Sequence, residues 1–197
     1  INYHFTTSKI DPSGEEKFTL RLAHSIKSWE VIGEKWGINI LQQFIDRVLV
    51  AYHEKRNFPY ISGTSELSPF LKTGAISIRS LYHSILRISE EVGEGANTFI
   101  KELAWREFYQ MLYFFHPEAK NSSLRPEFRS IAWEKNEERL HLWKQGKTGF
   151  PIVDAGMRQL KDTGWMHNRL RMITASFLTK DYLVDWRLGE RYFEEML

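Results

Sequence analysis

The chain has 197 residues, 42% of them hydrophobic and 26% charged, enough to bury a core as one domain with or without a small satellite. A net charge of +2 does not mark a nucleic-acid binder by itself, because only local clusters of Arg and Lys could do that. The lack of Cys excludes a disulfide framework and thiolate metal sites, and no apolar run approaches the roughly 18 residues of a membrane span. Residues 1–38 are mixed, with a turn at Pro12-Ser13-Gly14 and a short helix expected around 15–30. From Asn39, which can cap, Leu41, Phe44, Ile45, Val48, Leu49 and Tyr52 keep helical spacing. Residues 57–68 read as a loop, Pro69 suits the first turn of a short helix, and Gly74 ends it. Ser77 to about Glu91 is a helix that Gly93-Glu94-Gly95 breaks. Asn97 is expected to cap the next one, which carries Phe99, Leu103, Ala104, Phe108, Met111, Leu112 and Phe115 up to Pro117. A helix near 136–145 ends at Gly146 and Gly149, and Pro151 opens another to about Lys161. Gly164 interrupts, His167 to Leu183 is helical, and Asp185 caps the final helix. Alternating strand patterns are absent, so the expectation is an all-α fold in one domain.

The aromatics, 7 Trp, 8 Tyr and 13 Phe, are numerous enough to fill a core and still leave rings for stacking on a flat ligand or base. In Gly63-Thr64-Ser65-Glu66-Leu67-Ser68, hydroxyls precede a helix start, an arrangement that suits either an anion site or a plain cap. Glu102, Trp105, Arg106 and Tyr109 share one helix face; they make either a groove that stacks an aromatic ligand or an exposed Glu102–Arg106 pair. Asn168 and Met172 lie at i and i+4, so one face presents an amide and a thioether, while Arg169 and Arg171 could reach phosphates. The alternative is a capping Asn and a core Met. Trp133 and Trp186 read as core rings on spacing alone. His-Glu-x-x-His, Walker A, GxGxxG and GxSxG motifs are absent, the His residues lack metal-ligand spacing, and no metal site is expected. Asp46 and Asp154, in apolar helices, suit a hydrogen bond or solvent better than a catalytic pair.

Several motifs coincide in order: Tyr52…Arg56-Asn57-Phe58-Pro59, Gly63 to Ser68, Glu102 to Tyr109, Gly146 to Arg158, Gly164 to Met172 with Trp165-Met166-His167-Asn168 at its centre, and Asp185-Trp186-Arg187. Together they resemble the DNA photolyase/cryptochrome family, and within it the helical FAD-binding domain of a class I cyclobutane pyrimidine dimer photolyase. The resemblance covers about Tyr52 to Leu197, so that 39–197 would be a partial FAD-binding helical domain and 1–38 a poorly matched connecting segment. It implies light-driven DNA repair, in which reduced FAD donates an electron to a dimer in UV-damaged DNA. A (6-4) photolyase and a cryptochrome photosensor are the alternatives on the same scaffold.

The resemblance also implies roles. Tyr52, Thr64, Ser65, Glu66, Leu67 and Ser68 would hold the diphosphate and ribityl of FAD, and Phe99 would lie beside the flavin where the family often has Trp or Gln. Asn168 would sit by the flavin ring nitrogen that gains a proton. Glu102 would hydrogen-bond the dimer bases, Trp105 would stack on the flipped dimer and Met172 would contact it. Arg56, Arg106, Tyr109, Arg169 and Arg171 would complete the DNA-facing rim. Trp133 and Trp186 match the outer two members of the family's electron-transfer chain. An antenna chromophore domain is expected before residue 1 and further flavin-pocket residues after Leu197, so the chain alone is expected to be truncated at both ends, largely free of flavin and inactive, with apolar surface exposed. The full-length protein is expected to be a monomeric, cytoplasmic, DNA-associated enzyme away from membranes.

Overall fold

The computed structural model describes residues 33–197, so the turn at Pro12-Ser13-Gly14 and the helix expected around 15–30 lie outside the described residues. Helices and turns without a β-strand make up the described residues, as an all-α reading requires. They cluster in two compact units, one formed by 33–135 with His167–Met172 and the other by Asn136–Met166 with Ile173–Leu197, where one domain was expected.

In the first unit, α1 spans Glu34–Arg47. It starts five residues before the expected Asn39 cap, so the division at 38/39 falls inside it. Glu34 sits at the positive end of the helix dipole, and the Asn39 side chain instead accepts a hydrogen bond from Gln43 at 3.5 Å. The helix expected to run on to Tyr52 breaks at Val48. A 3-10 turn over Leu49–Ala51 follows, then the short α2, Tyr52–Lys55. α3 is Ser68–Thr73, preceded by Leu67 at the cap position and closed by Gly74 in the left-handed region. Ser77 caps α4, Ile78–Val92, through its hydroxyl.

α5, Glu94–Phe115, also starts earlier than expected. Asn97 lies in its first turn and donates its backbone N–H to the Gly93 carbonyl at 3.2 Å. Gly95 does not interrupt the pattern but permits a close crossing, since a Cβ there would meet the Leu49 backbone carbonyl. α5 packs on α4, on α2 and on the 3-10 turn. The core of this unit is Phe44, Leu49, Tyr52, Leu67, Phe70, Ile76, Leu81, Ile85, Ala96, Phe99 and Leu103. The same helix departs from expectation further on. Phe108, Met111 and Phe115, which continue the apolar stripe, are 50%, 58% and 66% exposed.

In the second unit, Asn136 caps α6, Glu137–Gln145, by accepting from the Arg139 N–H at 2.9 Å. α7 is Pro151–Thr163. α8, Asn168–Ser176, gives its first five residues to the first unit and the rest to this one. The helix expected through Leu183 widens into a π-helical turn over Phe177–Asp181 and ends with Leu183 at φ 53. Asp185 caps α9, Trp186–Met196, as the sequence implies. The core here centres on Trp143, fully buried, whose indole N–H donates to the Thr174 carbonyl at 2.9 Å. The Tyr192 and Phe193 rings pack on it edge-on, at 5.7 and 5.6 Å. Val153, Met157, Leu160, Phe177, Leu178 and Val184 are buried in the same unit.

Asp154 organises the loop before α7. Its carboxylate accepts from the Thr148 N–H at 2.7 Å, the Thr148 hydroxyl at 2.6 Å and the Gly149 N–H at 3.0 Å. Burial acts to raise its pKa, but these hydrogen bonds and the Arg158 guanidinium outweigh burial, and the pKa lies below the ordinary 3.8. A depressed pKa contributes stability that is fully present above the ordinary value and is lost as pH falls through the folded one. Asp154→Asn is therefore expected to cost about 1.5–3 kcal/mol at neutral pH, the range for hydrogen bonds to a charged group. The gap between the two melting temperatures should narrow below pH 3.8; a gap independent of pH would show that the charge of Asp154 plays no part.

Candidate functional site

The residues with the richest chemistry lie in the first unit, on α2, α5 and the start of α8. Tyr52 opens α2 inside an aromatic triad, its ring 5.6 Å from Phe44 and 5.4 Å from Phe99. Its phenol pKa is pushed up to about 12, first by desolvation and then by Glu102, while Arg56 acts in the opposite sense. Tyr52 is thus a neutral hydrogen-bonding group throughout the physiological range. Phe99 is 4% exposed and stands 4.8 Å from Phe44. It packs as a core ring of this unit.

One helical turn after Tyr52, Arg56 leaves α2 with its guanidinium 5.5 Å over the Tyr52 ring. It pairs with the Glu102 carboxylate on α5 at 2.5 Å, and both side chains are largely screened from water. The exposed Glu102–Arg106 pair considered from the sequence therefore does not form. Arg106 turns to Glu107 at 2.6 Å and to the Leu71 carbonyl at 3.3 Å. Glu102 is held by a residue 46 positions away, a relation that helical spacing cannot reveal.

Beyond Glu102 on the same helix, Trp105 and Tyr109 stack with centroids 6.0 Å apart and planes inclined by 28°. They are 51% and 54% exposed. Flat aromatic surface left open beside an ion pair suits stacking on a planar ligand. Phe108 stands edge-on to both rings.

The start of α8 meets the same corner. His167 is buried, and its Nδ1 accepts the Arg169 N–H at 3.1 Å while its carbonyl accepts the Arg171 N–H at 3.0 Å. His167 therefore caps α8, and Asn168 is released from the capping role considered for it. Desolvation lowers the His167 pKa, the Arg56 backbone acts to raise it, and Arg169 and Arg171 lower it further. Asn168 and Met172 are exposed, so neither is a core residue. Arg169 donates twice to the Asn57 amide oxygen, from Nε at 3.1 Å and Nη2 at 2.6 Å, and also lies 3.9 Å from the Met172 sulfur. Arg171 is half-buried, and desolvation lowers its pKa.

The fold thus gathers Tyr52, Arg56, Glu102, Arg169 and Met172 into one region, with Trp105 and Tyr109 one and two turns along α5. Asn57 and His167 belong to it too. Both stood inside quoted motifs; His167 acts as a local cap, while the role of Asn57 depends on a contact across 112 residues. In the Thr64–Ser68 turn, Gly63 lies so close to α2 that a Cβ would be 2.7 Å from the Lys55 carbonyl oxygen. Ser65 caps the Leu67 N–H at 3.4 Å, Glu66 adopts φ 52, and Leu67 is buried. The Thr64 and Ser68 hydroxyls have no partner among the described residues. Trp133 in the first unit and Trp186 in the second are both half-buried. No group of His, Cys, Asp or Glu that could hold a metal occurs among the described residues, and none of their helices is long and apolar enough to cross a membrane.

Residues 99–197 match the family described as the FAD binding domain of DNA photolyase. A deoxyribodipyrimidine photo-lyase of Alkalihalophilus pseudofirmus is 53% identical over 187 residues, which are 95% of this chain and 39% of that protein. The crystal structure of a bacterial class III photolyase from Agrobacterium tumefaciens superposes with a TM-score of 0.81 at 43% identity, over 84% of this chain and 34% of that one. A Synechocystis cryptochrome structure superposes with a TM-score of 0.80 at 33% identity, over 89% of this chain and 37% of that one. The chain spans about two fifths of the length of the curated relative it matches over nearly all its own length.

Proposed function

We propose a function from one premise: the chain belongs to the family of the FAD binding domain of DNA photolyase. The function is light-driven repair of UV-damaged DNA, the splitting of cyclobutane pyrimidine dimers. The observation that carries it is the Arg56–Glu102 pair, placed beside the open Trp105–Tyr109 stack. A dimer turned out of the duplex offers polar base edges to a carboxylate and flat surface to aromatic rings, and unstacking costs least for damaged bases.

FAD, when bound, supplies photoexcited electron donation; the protein supplies position and electrostatics. The Thr64–Ser68 turn fits the diphosphate, because the close approach of Gly63 to α2 anchors its start and its hydroxyls at 64 and 68 have no partner among the described residues. Tyr52 and the exposed Asn168 amide are the further groups that would hold the cofactor. Glu102 accepts hydrogen bonds from the lesion's bases, Trp105 stacks, Met172 makes apolar contact, and Arg169 faces phosphate. An antenna chromophore, a monomeric full-length protein and an intracellular, DNA-associated location complete the proposal.

The likeness to a cryptochrome supports photosensing without repair as a second reading. Affinity for a duplex with a single thymine dimer, compared with the undamaged duplex, separates the two. Dimer repair requires a clear preference for the lesion, and equal affinities would favour the photosensor.

Trp186 and Trp133 are proposed to pass electrons to the oxidised cofactor during its photoreduction. Trp186→Phe keeps most of the ring volume but is far harder to oxidise. The variant is expected to slow blue-light bleaching of the flavin and to spare repair by chemically reduced protein. Normal bleaching with a lowered melting temperature would return Trp186 to a packing role.

A further inference from the structure

The cations at the candidate DNA face differ in what holds them. Arg56 is matched by the Glu102 carboxylate and Arg106 by that of Glu107, so each carries its own counter-charge. Arg171 is half-buried. Arg169 is held by neutral groups, the Asn57 amide oxygen through two hydrogen bonds and the Met172 sulfur. An amide oxygen fixes the direction of a guanidinium without cancelling its charge, whereas a carboxylate in the same place would do both. A cation serves phosphate through that uncancelled charge, which displaces a counterion from the DNA.

We propose that Asn57 is a positioning residue for DNA binding, which holds Arg169 at the rim through a neutral contact and so leaves its charge to a backbone phosphate. The inference rests on the DNA-binding reading above and extends it to a residue to which the resemblance gave no role. Asn57 acts through Arg169 and touches neither lesion nor cofactor. The same contact ties the end of α2 to the start of α8, so it also sets where Met172 stands relative to Arg56.

The deciding variant is Asn57→Asp, nearly the same shape with the hydrogen bonds kept and the charge cancelled. Affinity of the full-length, FAD-loaded protein for a labelled duplex is measured across a salt series, with a melting curve for each variant. Asn57→Asp should flatten the slope of log affinity against log salt by about 0.9, the value of one phosphate contact. From about 50 to about 200 mM salt, binding would then weaken about 3.5-fold less than in the unsubstituted protein. Arg169→Gln should give the same change, and the double variant should add nothing. Asn57→Ala, which frees the guanidinium and keeps its charge, should bind more weakly at every salt with the slope preserved. An unchanged slope in Asn57→Asp beside a flattened one in Arg169→Gln would overturn the inference alone. An unchanged slope in Arg169→Gln, or unchanged affinity in Asn57→Ala, would overturn it as well. No salt-dependent binding by the unsubstituted protein would bring down the DNA-binding reading, and the inference with it.

Discussion

Glu102→Ala in the full-length protein is expected to lower the rate of dimer splitting about tenfold with flavin content unchanged. The figure follows from one hydrogen bond to a charged group, about 1.5 kcal/mol, lost to the reacting lesion. Glu102 lies outside the buried cluster of Phe44, Tyr52 and Phe99, so the core should survive. What changes locally is Arg56, left without its carboxylate. Binding of undamaged DNA should therefore hold or tighten even as repair falls. Yield per absorbed photon, flavin absorbance and affinity for undamaged DNA together check the prediction. An unchanged yield would remove Glu102 from the chemistry, and a matching loss of flavin would make its role structural.

Gly95→Ala is expected to be the most damaging single substitution for the fold. The added Cβ would collide with the Leu49 backbone carbonyl, with the Val50 carbonyl close behind. Backbone atoms cannot rotate aside like a side chain, so α5 must move off the 3-10 turn it packs against. Overpacking of this kind costs about 3 kcal/mol or more. For a chain of this length that corresponds to a fall of about 6–12 °C in melting temperature. A thermal melt followed by circular dichroism settles it. A loss of under about 2 °C would mean that the crossing is looser than the structure has it.

These two residues illustrate what could be read from the sequence. Helix positions followed only in part from local devices: Asp185 caps as expected, by a contact over two residues, whereas the expected caps Asn39 and Asn97 lie inside helices that start earlier. Gly95 misled because an unpaired reading takes glycine as a breaker, whereas here it serves a close approach to a segment some forty residues away. The α5 stripe was legible as apolar from Phe99 to Phe115, but periodicity says only that residues share a face. It does not say what that face meets, and Phe108, Met111 and Phe115 stand open.

The site divides the same way. Trp105 and Tyr109 could be placed on one shared face because both lie on α5, but not as open to solvent. The partner of Glu102 could not, since Arg56 reaches it across the fold and not along a helix. Asn168 was ambiguous between cap and ligand until His167 was found to take the cap. The resemblance supplied chemical roles for these positions; the structure supplied the Arg56–Glu102 and Asn57–Arg169 pairings.

The central claim is light-driven splitting of a pyrimidine dimer, and one measurement meets it directly. A duplex with a single thymine dimer is mixed with the full-length, flavin-reduced protein, and intact thymines are counted after blue light and after an equal time in darkness. The account predicts restoration in the light alone, sustained over many turnovers per protein. Reduced flavin that absorbs the light and leaves the dimer intact would contradict it.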